Sequence, residues 1–330
     1  MTHQTESLST RFASHPELTH LLPRLTAADA ETRRIALIEI ADSGDEDYLP
    51  ILLAAIGDDD AAVRAETVRQ LAGWESPEIV DALIRTLRDS DEQVRAASAQ
   101  SLSELKTREA GLQLLTVADH DDPEVRAAVL RALRELRLPE AAPPALRALQ
   151  HDAAPVRREA VGILGWLKHI EALPQLAALA ISDADNEVRR AAAGALGMAS
   201  DESVTSALLT ALRDEQWTVR EEAASTLGKL QLGEATDALI AALGDDYWQV
   251  RVRAARSLGR IKNTDAVSAL IDALQFPLSN VRKEAAIALG EIGDARARLA
   301  LHDAAADADP DVRKAARLAL SHLDAQATPT

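Results

Sequence analysis

The chain has 330 residues, 47% of them hydrophobic but only 2% aromatic, and its 36 Lys and Arg stand against 53 Asp and Glu for a formal net charge of −17. An apolar interior must therefore be built from Ala, Leu, Val and Ile, a bias that favours helix over strand. The chain has no cysteine, which excludes disulfides, thiolate metal sites and thiol catalysis, and its acidity opposes phosphate backbones, whose attraction rests on Lys and Arg.

The first segment, MTHQTESLSTRFASHPEL, has no basic stretch leading into an apolar run and does not read as a signal peptide. Residues 1–15 carry no repeat and are expected to be flexible. No stretch approaches the roughly 18 apolar residues of a membrane span. A soluble, cytoplasmic chain without a membrane partner is the expectation.

From about residue 16 the sequence is periodic. A Val-Arg pair occurs at 63–64, 94–95, 125–126, 156–157, 188–189, 219–220, 250–251, 281–282 and 312–313. The spacing is 31 residues, with one step of 32 between Val156 and Val188, and Thr32-Arg33 is a degenerate first copy. Leu follows each Val by eight residues, as in Leu71, Leu227 and Leu289, and Ala often follows by four, as in Ala160, Ala223 and Ala285. Apolar residues at i, i+4 and i+8 define one buried face of a helix, here termed B. A second apolar segment, such as LTHLLPRL, VDALIRTL, TDALIAAL or VSALIDAL, precedes each B helix and predicts a partner helix A. Neither helix can bury its stripe alone, so neighbouring pairs must stack. The prediction is an all-α, right-handed α-solenoid of about ten 31-residue helix pairs over residues 16–323. With helices about 8–10 Å apart, such a stack is on the order of 90 Å long.

The turn before helix B also repeats. Asp58, Asp89, Asp183, Asp214, Asp245 and Asp307 lie six residues before the Arg, which predicts a ladder of hydrogen-bonded ion pairs. Asp60, Asp91, Asp122, Asp185 and Asp309 lie three before the Val, where an N-cap satisfies orphan amides. Pro123 and Pro310 follow such caps at the first helical position, where proline is best tolerated.

Departures from this pattern, in chain order, are the candidate functional features. Trp74 sits near a B-helix end and is expected to pack over the stack, as is Trp166. His120 and His151 replace the ladder Asp in adjacent repeats. Either they make a pH-sensitive or metal-assisted contact, or they are neutral turn residues whose neighbours Asp121 and Asp152 cap the helix. At roughly 10 Å apart they could not share one metal without other ligands. Gly162, Gly194 and Ser225 stand six residues after their Val, where other repeats have Arg69, Gln100, Arg131 or Arg256. They predict either a shallow groove, flanked by Arg158 and Arg190 as candidate carboxylate-binding residues, or close backbone packing. Gly165, Gly197, Gly228, Gly259 and Gly290 belong to packing.

Three consecutive turns then lose the cap, since Gln216, Tyr247 and Leu278 stand where Asp is expected. Trp217 and Trp248 open the following helices, and Phe276 takes the ladder position of the next turn. A lost cap costs about 1 kcal/mol unless Asp246 or Ser279 shifts it by one residue. Trp and Tyr are enriched at binding hot spots. Trp217, Tyr247, Trp248 and Phe276 are therefore the candidate partner-binding patch, with gap-filling between turns as the structural alternative. The tail, residues 324–330, lacks the repeat and is expected to be flexible.

The run of Asp, Val-Arg and AAxxLG, best seen in VREEAASTLGKL (219–230) and VRKEAAIALGEIG (281–293), resembles HEAT repeats of the short phycobilisome-lyase type over nearly the whole chain. The resemblance implies that B helices line the concave face and A helices the convex one. Deoxyhypusine hydroxylase is built from similar repeats with paired His-Glu dipeptides at its di-iron site, but none of the eight His here precedes a Glu, so that activity is disfavoured. Bilin or tetrapyrrole handling, the other activity the resemblance implies, rests on fold analogy. No Gly-rich phosphate loop, GxSxG elbow or HExxH occurs. The expectation is a non-catalytic scaffold or adaptor that binds a protein or peptide on its concave face, with no cofactor, metal or nucleic acid.

Overall fold

The computed structural model of the protein describes residues 20–327, with side chains to residue 325. The described residues form twenty α-helices and no strand. The chain divides into two units, Met1–Ile163 and Leu164–Thr330.

In the first unit the helices are α1 (Leu22–Leu25), α2 (Ala30–Asp42), α3 (Leu49–Ala55), α4 (Ala61–Gln70), α5 (Pro77–Thr86), α6 (Glu92–Ser103), α7 (Arg108–Leu115), α8 (Pro123–Leu136) and α9 (Ala142–Ala148). Helix α10 (Ala154–Leu167) crosses the division. The second unit holds α11 (Leu173–Ser182), α12 (Asn186–Ala195), α13 (Thr205–Ala211), α14 (Trp217–Leu230) and α15 (Thr236–Ala242). It continues with α16 (Trp248–Ile261), α17 (Val267–Ala273), α18 (Ser279–Ile292), α19 (Arg298–Ala304) and α20 (Pro310–Ala327). Odd numbers are A helices and even numbers B helices. Within each unit B helices pack on one another, as α4 on α6 and α14 on α16, and A helices lie against their own B helix, as α5 on α6 and α15 on α16. Each unit is an α-solenoid.

The periodic residues make the core. Val63, Val94, Val125, Val156, Val188, Val219, Val250, Val281 and Val312 are all buried, as are Ala160, Ala192, Ala223, Ala254, Ala285 and Ala316 and the eight Leu from Leu71 to Leu289 at the i+8 place. The predicted Asp caps form: Asp60 Oδ1 accepts from the Ala62 and Val63 amides, and Asp91, Asp122, Asp185 and Asp309 do the same in their turns. Close packing accounts for several glycines. A Cβ on Gly228 would lie 2.7 Å from the Ser257 Cα, and one on Gly290 would lie 2.8 Å from the Ala319 Cα.

B helices end in a left-handed residue at Arg137, Lys168, Gln231, Lys262 and Gly293. Only the last is the residue type that adopts this backbone without strain. Residues 324–327, expected to be tail, continue α20; residues 1–15 and 328–330 lie outside those described.

Trp166 departs from expectation, because it is 55% exposed rather than packed over the stack. It stands ten residues after its Val, where other repeats carry exposed Glu104, Glu135, Lys229, Arg260 and Glu291. Trp74 stands eleven after its Val, a place otherwise held by Leu, Ile or Ala, and is half-buried.

Candidate partner-binding site

The ladder predicted from the Asp and Arg spacing exists, and it sets the frame in which the site is irregular. Arg220 Nη1 donates to the Asp214 carbonyl of its own turn at 2.8 Å, while Nε and Nη2 fork onto Asp245 Oδ2 and Oδ1 of the next turn at 2.7 and 2.9 Å. Asp245 Oδ1 also accepts from the Tyr247 amide at 2.9 Å. Burial pushes the Asp245 carboxyl up, but the Arg220 fork and the Tyr247 amide outweigh it and hold the group below the usual carboxylate range. The same two-sided arrangement joins Arg33 to Asp58, Arg64 to Asp89, Arg189 to Asp214 and Arg282 to Asp307.

Residues Gln216, Tyr247 and Leu278 are the N-caps of α14, α16 and α18, and none of their side chains caps its helix. Neither Asp246 nor Ser279 moves the cap, since the helices begin at Trp217, Trp248 and Ser279. The surrendered cap position is occupied by large side chains. Trp217 and Tyr247 stack across adjacent turns, with ring centroids 5.4 Å apart and planes 12° from parallel. The Arg220 guanidinium carbon lies 5.7 Å from the centroid of the Tyr247 ring, adding a cation to the stack. Tyr247, Trp248 and Leu278 are 46%, 41% and 46% exposed. Trp217 and Phe276 are half-buried. Exposed Asp246 and Glu215 rim the same turns.

Phe276 does not join the Trp217–Tyr247 stack. Its ring instead lies under Arg251, whose guanidinium carbon is 4.0 Å from the ring centroid. An open depression of about 360 Å³ lies beside it, lined by Leu274, Pro277, Arg282 and Asp307 among others. Sequence reading noticed Phe276 at a ladder position but missed its consequence for Arg251. The signal was available, since each ladder Asp lies 25 residues after the Arg it receives.

Each of the two glycines expected to leave space is covered, Gly162 within the first unit and Gly194 within the second. The Arg134 side chain lies across Gly162, with Cδ 2.8 Å from where a Cβ would be, and Glu222 lies across Gly194, with Oε1 at 2.9 Å. A glycine on this face makes room for a long side chain of the following or preceding repeat. Arg158 contacts Glu159 at 3.3 Å, and Arg190 pairs with Glu187 at 2.7 Å, so each is already engaged by a carboxylate. Glu159, only 2% exposed, also receives Arg131 and Arg134. Glu222 is half-buried, and burial raises its carboxyl above the ordinary value.

His120 and His151 take over one function of the missing Asp. Their Nδ1 atoms accept from the Asp122 and Ala153 amides, each at 3.0 Å. Asp122, rather than Asp121, caps α8, and α10 starts after Ala153, so Asp152 is not its cap either. Among the described residues no group of three or more His, Asp or Glu is arranged to hold a metal ion, and no helix is long and apolar enough to cross a membrane.

Comparison with solved structures gives the same architecture. An engineered protein is 22% identical, with a TM-score of 0.55, over 92% of this chain and 98% of that one. The YibA protein of Escherichia coli is 20% identical, with a TM-score of 0.55, over 88% and 97%. Kap95p, in a structure describing its binding to RanGDP, is 16% identical with a TM-score of 0.64; the match takes in 94% of this chain but 50% of Kap95p. At these identities the likeness concerns the fold. No curated protein matches the sequence. The family description "HEAT repeats" matches residues 18–72, 54–118, 111–197, 174–251 and 236–321 in overlapping segments. With those matches, the buried Val, Ala and Leu face and the Asp–Arg ladder, the chain belongs to the HEAT-repeat family.

Proposed function

We propose that the protein is a non-catalytic scaffold that binds a protein or peptide partner at the aromatic turns of its second unit. The observation that carries this reading is the exposure of Tyr247, Trp248 and Leu278 on successive turns where Asp caps are otherwise the rule. Three neighbouring helices give up a cap worth about 1 kcal/mol each, and large apolar surface stands in its place. A local rule broken in one patch of an otherwise regular fold supports reading a binding function there. Trp and Tyr supply wide contact area at low conformational cost. Trp217 holds Tyr247 by stacking, so the rings are pre-positioned. The net charge of −17 disfavours nucleic acid and favours a partner segment that is neutral or basic over most of its length. A cytoplasmic location fits the cysteine-free sequence.

The test is affinity capture from the native cell with wild type and the Trp217→Ala/Trp248→Ala double variant. Partner recovery is expected to fall at least about tenfold, as for loss of a hot spot, with the helical signal and melting cooperativity retained. Equal recovery by the two proteins would reject the reading.

The finer resemblance, to repeats of the phycobilisome-lyase type, supports a second reading as a tetrapyrrole handler using Arg158 and Arg190. The engagement of both Arg by carboxylates and the covering of Gly162 and Gly194 favour the first. Retention of an added tetrapyrrole by the purified protein would reverse that preference.

A further inference from the structure

In the regular rungs the Arg that follows the core Val holds its own turn from one side and the next repeat's Asp from the other, as Arg64, Arg189, Arg220 and Arg282 do. Three of these arginines face a residue other than Asp: Arg95 faces His120, Arg126 faces His151 and Arg251 faces Phe276. Arg95 Nε finds Glu124 at 3.3 Å, and Arg126 Nη2 finds Asp119 at 2.9 Å. Arg251 finds no carboxylate among the described residues. Its Nε turns to the Asp245 carbonyl of its own turn, and its guanidinium rests on the Phe276 ring. The Asp245 carboxylate hydrogen-bonds the Arg220 fork and the Tyr247 amide, and it acts on Arg251 only through space.

The two terminal nitrogens of Arg251 are thus a planar pair of donors with no protein acceptor among the described residues, backed by an aromatic face. Trp248 lies three residues earlier on α16, on the same side of the helix, and Leu278 stands on the turn that carries Phe276. We propose that Arg251 is the docking point for one carboxylate of a protein partner. An Asp or Glu side chain of that partner completes the rung Phe276 leaves open, with an adjacent apolar residue against Trp248 and Leu278. Five of the rungs show how this fold's Arg receives a carboxylate, a two-point fork from Nε and Nη2 at 2.7–3.0 Å. At Arg251, whose Nε is held by the Asp245 carbonyl, the equivalent fork is offered by Nη1 and Nη2. Guanidinium and carboxylate match in that planar form. Exposed Asp246, on the turn that Arg251 holds, repels further negative charge, so the site suits a single carboxylate in an otherwise neutral or basic segment rather than a phosphate dianion.

This assignment rests on the docking reading above, and the experiment separates the two. The full chain, with 15N-labelled arginine side chains, is titrated with the blocked tripeptide Leu-Asp-Leu and its Leu-Asn-Leu counterpart. The Arg251 side-chain resonances should move saturably with the Asp peptide and bind the Asn peptide at least about tenfold more weakly, the difference expected for a charge-assisted hydrogen-bond pair. Phe276→Asp should abolish the effect by filling the rung from within, and Arg251→Gln should abolish it by removing the fork. Equal response to the two peptides, no response, or undiminished Asp-peptide binding by either variant overturns the proposal. In partner capture, release by Trp217→Ala/Trp248→Ala but not by Arg251→Gln leaves the docking reading standing and the carboxylate assignment rejected. Retention by the Trp variant alongside a saturable Asp-peptide response does the reverse.

Discussion

Arg126 in the first unit and Arg251 in the second hold the same place in the repeat, and both face a residue that has replaced the ladder Asp. That Asp has two functions, receiving the guanidinium fork of the preceding repeat and accepting the amide two residues ahead. At His151 the amide is still accepted, by Nδ1 from Ala153, and Arg126 recovers a carboxylate from Asp119, which Arg147 also holds. At Phe276 both functions are gone, because a phenyl ring has no acceptor, and the cation settles for the ring face. Among the described residues, one substitution leaves a polar turn whose Arg126 keeps a single carboxylate bond while its buried Nε stays unpartnered; the other leaves an apolar turn with a cation that has no carboxylate. The difference teaches that a broken rung becomes a candidate contact surface only where no neighbouring carboxylate repairs it.

Acid gives the broadest means of breaking that contrast. The Asp89 and Asp307 carboxyls are held below the usual range chiefly by the Arg64 and Arg282 forks, and Asp214 and Asp245 are held low despite their burial. A folded value below the unfolded one means that each contributes its full stability above about pH 4 and loses it as pH falls through the folded value. Urea unfolding at a series of pH values should show stability falling steeply below about pH 4, and Asp245→Ala should make that fall shallower. An unchanged slope in the variant would mean that the rung is not coupled to folding.

At neutral pH, Asp245→Ala is expected to cost about 3 kcal/mol, since it strands the partly buried Arg220 fork and the Tyr247 amide. His151→Ala, which removes one amide acceptor, should cost only about 1 kcal/mol. Equal losses in denaturant midpoints would erase the distinction between rung and turn.

The reverse substitutions sharpen the comparison. Phe276→Asp should stabilise the fold by about 1–2 kcal/mol, because it supplies Arg251 and the Leu278 amide together. His120→Asp should gain less than about 1 kcal/mol, because Arg95 already has Glu124 and the Asp122 amide already has an acceptor. Thermal melts of the two variants would rank them.

The smallest effect concerns the caps. Leu278→Asp should raise stability by about 1 kcal/mol by capping α18. Tyr247→Asp makes the same gain at α16 but loses the stack on Trp217, worth about 0.5–1.5 kcal/mol, so its net change is expected near zero. A clear gain at Tyr247 would show that the stack contributes little to stability.

The 31-residue period was legible because each repeat meets the same demands: Val, Ala and Leu to fill one face, Asp to cap the helix, Arg and Asp to join the turns. Those demands are local or recur identically between neighbours, so a single sequence reports them ten times over. The fate of the exceptions was not legible in the same way. Whether Trp217 would lie on Tyr247, whether Arg134 and Glu222 would cover the glycines, and whether Arg126 would find Asp119 depend on side chains of adjacent repeats reaching across a shared edge. The linear sequence thus determined the helix pairs, their buried face and the places where the pattern fails. Only the tertiary structure decided which failures are repaired and which stay open, because long side chains choose among several partners within reach and the chain order does not rank those partners.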